Sequence, residues 1–195
     1  MQKSFMKSLY KQVRSAAQIV NNAPISTPCV RGNGACCYQP EVPSTTEDHE
    51  VIIQAAKDGK IPKHIIDRAL KRAFDPLSKG CPFLGDNNEC TIYPYRPVIC
   101  MMYGTGAGPS SRQLLAEAMK KRKSGKERGL KMPQVRPFLC DSCMVSFNPR
   151  TVYPTLIVEK TLEVWDYIAV RAHEGKAMWL TNFVKYLLPA ALKPQ

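Results

Sequence analysis

Eight cysteines carry the chemistry that this 195-residue sequence offers: Cys29, Cys36, Cys37, Cys81, Cys90, Cys100, Cys140 and Cys143. Thiolates are soft ligands that hold zinc or iron–sulfur clusters. In an exported protein the same even number would instead close four disulfides. Placement favours ligation. The cysteines fall in "CVRGNGACC", "CPFLGDNNECTIYPYRPVIC" and "PFLCDSC", which are rich in turn residues or lie at the edges of elements. Irregular backbone can turn several sulfurs toward one centre, whereas a cysteine that only fills a core sits on an apolar face. Cys140 and Cys143 have the two-residue gap of a zinc knuckle, a spacing shared with thioredoxin-like redox pairs. Pro137 and Pro149 on either side speak against the strand-to-helix setting of a redox pair. The side chains of Cys36 and Cys37 diverge along the backbone, so the two serve different metals or different faces of one cluster, or one stands behind the ligands.

Four thiolates around one divalent ion carry a net charge of about −2, which calls for nearby cations or backbone N–H groups. Arg96 and Arg31 are placed to supply them; the competing reading of Arg96 is a surface ion pair. Pro94 and Pro97 stiffen the approach to Cys100 and lower the entropy lost when the loop closes. Metal binding and folding are then expected to be coupled, at roughly 10–16 kcal/mol for a site of the zinc-finger kind.

The run "CVRGNGACC" followed by Cys81, Pro82, Phe83, Leu84, Cys90, Ile92, Tyr93, Arg96, Pro97 and Cys100 resembles the YkgJ-type cysteine-cluster family over residues 29 to 104. The resemblance implies binding of zinc or an iron–sulfur cluster, in a role that could be structural, redox or group transfer. In one respect the sequence departs from the pattern: Gly32 stands where the family has a second cysteine, and Cys140 and Cys143 are candidates for the missing ligand.

The elements that must position these residues read as helices. Phe5, Leu9, Val13, Ala16 and Val20 share one face of an amphipathic N-terminal helix whose other faces carry Lys3, Lys7, Lys11 and Arg14. In "STTEDHEVIIQAAKDG" a hydroxyl among Ser44, Thr45 and Thr46 caps a short helix that stops at Gly59. Pro62 opens the next, where Ile61, Ile65, Ile66, Ala69, Leu70, Ala73 and Phe74 line up opposite Lys63, Asp67, Arg68, Lys71 and Arg72, ending before Pro76. The C-terminal part reads as a long helix and a shorter one, divided near Gly175. The fold class expected is mainly α: a small irregular core organised by metal, with helices around it. The expected divisions are an N-terminal helix (1–24), a cysteine-cluster domain (25–150) containing a basic segment (112–136), and a C-terminal helical segment (151–195).

The Gly-x-Gly-x-Gly turn in "GTGAGPSS" reads as a connector, since no strand with an acid follows it as a nucleotide site requires. His49, His64 and His173 fall in helical segments; His49 is a candidate ligand, though it reads first as a solvated helix residue. No Ser/His/Asp or paired-carboxylate pattern is visible, so enzymatic activity is left open. The formal charge of +12 favours nucleic acid or another polyanion. Lys120, Lys121, Arg122, Lys123, Lys126, Arg128 and Lys131 in "KKRKSGKERGLK" form the natural contact, and a zinc-structured nucleic-acid-binding module is the alternative function. With neither an apolar leader nor a membrane-spanning run, the expected location is cytoplasmic. The basic, acid-free start keeps a mitochondrial address as the alternative.

Overall fold

A computed structural model of the chain describes residues 2–21, 37–38, 42–102, 129–131 and 152–193. Its architecture is mainly α, with two small antiparallel sheets of two strands each. Packing divides the chain into two compact units, Met1–Cys29 with Met101–Ala169, and Val30–Cys100 with Val170–Gln195.

In the first unit, helix α1 (Gln2–Asn21) buries Tyr10, Val13, Ala16 and Ala17. This is the one-sided stripe of an amphipathic helix. Phe5, expected on that stripe, is 66% exposed. The buried face centres on Val13 and Ala17, and Phe5 falls about a quarter turn away from it. The Tyr10 ring lies 6.1 Å from that of Tyr167, which belongs to the long helix Thr155–His173. Strand Gly129–Lys131 pairs with Val152–Pro154, Leu130 opposite Tyr153. The end of the basic run is therefore a strand.

The second unit contains strand β1 (Pro43–Thr45), helix α2 (Thr46–Lys57) and helix α3 (Lys63–Phe74). The 3₁₀ turn Tyr93–Tyr95 follows, then the short helix Val98–Met102, of which Met101 and Met102 belong to the first unit. Thr45 is the capping hydroxyl: its side chain accepts the Asp48 N–H at 3.3 Å while the Asp48 carboxylate accepts the Thr45 N–H at 2.9 Å, the reciprocal capping box. α2 is followed at Gly59 by a φ of +70°. α3 buries Ile66, Ala69 and Ala73, while Phe74, expected on the buried stripe, is 59% exposed at the helix end.

After the long helix the chain turns at Gly175, where φ is +67°. It then forms a strand that the helical reading did not anticipate, Ala177–Trp179, paired with β1 so that Ser44 faces Met178. The final helical run is made of Leu180–Asn182, a π-helical turn Phe183–Leu187, and Leu188–Ala191. Pro189 explains the wide turn. Proline donates no hydrogen bond, and its ring crowds the carbonyl four residues before it, so the preceding turn opens. Phe183, Val184, Leu180 and Leu188 enter a core shared with Ile52, Phe83, Ile92 and Val98.

Candidate metal centre

The segment Cys81–Cys100 is held in shape by its own backbone. Leu84 and Cys90 form an antiparallel bridge. Gly85 N–H donates to Glu89 O at 2.8 Å and Thr91 N–H to Phe83 O at 3.0 Å, with the Thr91 hydroxyl donating to the same carbonyl at 2.8 Å. Asn88 turns the tip with φ of 60°, a conformation that asparagine tolerates better than most residues. Phe83, Leu84 and Ile92 are buried, and Cys90 and Cys100 are partly exposed. Cys100 lies within the helical turn Val98–Met102 rather than in a loop. That turn is too short for periodicity to announce it.

Cys37 meets this segment from 44 residues away in sequence. The Cys81 N–H donates to the Cys37 carbonyl at 2.6 Å, and both cysteines are 8% exposed. Gly80 permits the approach. Its φ is +85°, and a Cβ there would stand 2.4 Å from the Cys37 oxygen and 3.2 Å from the Tyr38 Cα. A second tie comes from Tyr38, whose hydroxyl donates to the Asn88 side-chain oxygen at 2.6 Å. No disulfide joins any two of Cys37, Cys81, Cys90 and Cys100.

The cations nearest in the chain take definite positions. Arg96, between Cys90 and Cys100, is buried, its guanidinium 3.5 Å from the centre of the Tyr93 ring and one of its N–H groups donating to Tyr93 O at 3.3 Å. It is therefore no surface ion pair. Two arginines that the sequence assigned to the solvated face of α3 lie against the cysteine segment instead. Arg72 donates to Lys79 O at 3.0 Å, and Arg68 meets the Asp86 carboxylate at 3.4 Å. Arg68 Nη2 and Arg72 Nε are shielded from solvent without a hydrogen-bond partner. Their spacing of four residues, bordering the apolar stripe, is the signal that could have found them.

Asp48 ties the start of the Cys100 turn to α2. One carboxylate oxygen serves the capping box and the other accepts the Val98 N–H at 3.0 Å. Around it sits a buried polar cluster. Arg171 pairs through two hydrogen bonds with Glu47, and it also meets Glu174. His49, expected in solvent, is buried and stacks on Phe183 with ring centres 4.1 Å apart. The Ser44 hydroxyl donates to Met178 O at 3.1 Å, which uses its one proton, so His49 Nε2–H donates to Ser44 Oγ across 2.8 Å. Burial pushes the His49 pKa from 6.5 down to about 4, against the opposing pull of Glu47. His64 and His173 are exposed.

Cys29, Cys36, Cys140, Cys143, Arg31 and the basic residues Lys120, Lys121, Arg122, Lys123, Lys126 and Arg128 lie outside the described residues, as does "GTGAGPSS". Lys131 ends the strand Gly129–Lys131. Among the described residues no three His, Cys, Asp or Glu side chains gather to hold a metal ion. The residues that are described nevertheless fit thiolate ligation in kind: buried thiols on irregular backbone, a glycine cradle that a Cβ would fill, and arginine N–H groups with no acceptor. Among the described residues no helix is long and apolar enough to cross a membrane. No curated protein and no solved structure matched the chain. A family model spans residues 28–125, half of the sequence and the part that holds Cys29 through Cys100, and the chain belongs to that family, CxxCxxCC, described as "Putative zinc- or iron-chelating domain".

Proposed function

We propose that the chain binds zinc in a closed, all-thiolate centre whose work is to hold the cysteine segments of Val30–Cys100 together. One observation carries the reading: the hydrogen bond from Cys81 N–H to Cys37 O over a glycine that leaves no room for a side chain. It brings two buried thiol-bearing residues from distant parts of the sequence onto adjoining backbone. Cysteines that served only as small hydrophobes would not need so constrained a crossing.

In this proposal Cys37 and Cys81 are donors, and the set is completed from Cys36, Cys90 and Cys100. Cys29, Cys140 and Cys143 are the further candidates, for the same centre or a second one. Zinc suits such a set because a d¹⁰ ion accepts tetrahedral sulfur ligation and needs no open position. Bound zinc supplies a cross-link and no electron transfer. Arg96 adds a buried positive charge between two of the cysteines, where it offsets the excess negative charge of the thiolates.

Elemental analysis with absorption spectroscopy on protein purified without oxygen tests the proposal. Colourless protein with zinc in stoichiometric amount supports it. Brown protein carrying iron and sulfide overturns the choice of metal, and protein with neither metal, or with its thiols oxidised in pairs, overturns ligation itself.

A further inference from the structure

We infer that Arg68 and Arg72 on α3 are charge partners of the thiolate centre in addition to Arg96, acting through the loop that carries Cys81; this rests on the thiolate reading above. The two guanidinium groups stand one helical turn apart and meet the cysteine segment at two points. Arg72 donates to the carbonyl of Lys79, two residues before Cys81, and Arg68 meets Asp86 in the bridged turn between Cys81 and Cys90. Each keeps one nitrogen, Nη2 of Arg68 and Nε of Arg72, shielded from water and without an acceptor.

A shielded guanidinium N–H with no acceptor is costly, because its hydration is lost and nothing replaces it. Neighbouring groups do not relieve that cost. The Asp86 side chain that meets Arg68 is 89% exposed, so water screens most of its attraction. The Lys79 carbonyl is already the acceptor of Arg72 Nη2. An accumulation of negative charge on sulfur beside the Cys81 loop is what two such cations would answer. Arginine holds this role better than lysine in geometry, since its planar fork can keep a backbone carbonyl on one N–H while another points elsewhere. The pair also explains why α3 has cations where its helical register turns toward the loop rather than toward solvent.

Zinc affinity of the full-length chain, measured by competition with a chromophoric chelator, tests the inference. Arg68→Gln and Arg72→Gln leave a shorter polar side chain with N–H donors and remove the charge; Arg68→Lys and Arg72→Lys keep the charge. The neutral variants are expected to bind zinc about 10- to 100-fold more weakly, with the lysine variants restoring most of the loss and circular dichroism unchanged. Cobalt substitution gives a second readout: the sulfur-to-metal absorption bands should keep their intensity, since no ligand is removed. Equal weakening in glutamine and lysine variants overturns the charge role, as does undiminished affinity in the glutamine variants of a wild type that does load. A wild type that takes up neither zinc nor cobalt overturns the thiolate reading itself, and with it this assignment.

Discussion

A methyl group at Gly80 would stand 2.4 Å from the Cys37 carbonyl oxygen, on a backbone whose φ of +85° already excludes most side chains. Gly80→Ala is therefore expected to cost on the order of 3 kcal/mol through strain and the displaced Cys37 strand of chain. Urea denaturation would measure it, and metal content should fall together with stability. His49 gives a second prediction at this scale. Its pKa in the folded chain is about 4 against an ordinary 6.5, so between those values the unfolded chain takes up a proton that the folded chain refuses. The stability due to the neutral ring is whole above pH 6.5 and is lost as pH falls toward 4, a change of about 3 kcal/mol. Denaturation midpoints measured from pH 7 to pH 4 should show that decline, and His49→Gln should flatten it; an unchanged slope would show that other groups cause it. The burial of His49 was legible in principle. His49, Ile52 and Ala55 follow one another at three-residue steps on the buried side of α2, and the polarity of the imidazole outweighed that register in the reading.

Capping joins distant parts of the second unit at the scale of elements. Asp48 completes the α2 cap and accepts the Val98 N–H that begins the Cys100 turn. Asp48→Ala should cost about 3 kcal/mol, combining a lost cap with a buried amide left without an acceptor. Hydrogen exchange should then quicken at residues 98–102 as well as at the start of α2; acceleration confined to α2 would show that the tie to the turn is idle. α1, α2 and α3 were readable because hydrophobic period, capping residues and Gly59 agreed with one another. The strands were not. Three residues hold too little alternation to announce a strand, and Ala177–Trp179 forms one because β1 offers it a partner 134 residues earlier in sequence. The cysteine segment was readable as turns, yet not the depth of Arg68 and Arg72, because half-buried cations on a helix flank leave the same pattern as solvated ones.

For the molecule as a whole, the proposed centre would link binding to folding, since its thiolates would come from separate segments. Treating the loaded protein with a strong chelator under reducing conditions should accelerate amide exchange throughout 81–100 and lower the thermal midpoint, since a structural zinc contributes on the order of 10 kcal/mol to the folded state of such a site. A chelated protein that keeps its exchange pattern would show the metal to be a passenger. The family and the helical class could be read from the residues themselves, because cysteine spacing and hydrophobic period are local properties. The crossing of Cys37 over Gly80 could not, since it depends on where α2 and α3 deliver the chain after the intervening residues 38–79. That delivery sets an order of events during folding. Closing so long a loop is slow until the contacts it gains reward it, so α2 and α3 are expected to form before the two thiols become neighbours. Ion capture would then come late and act as a latch on a chain already wound, so that a newly made polypeptide passes through an interval in which its sulfurs are exposed to oxidants.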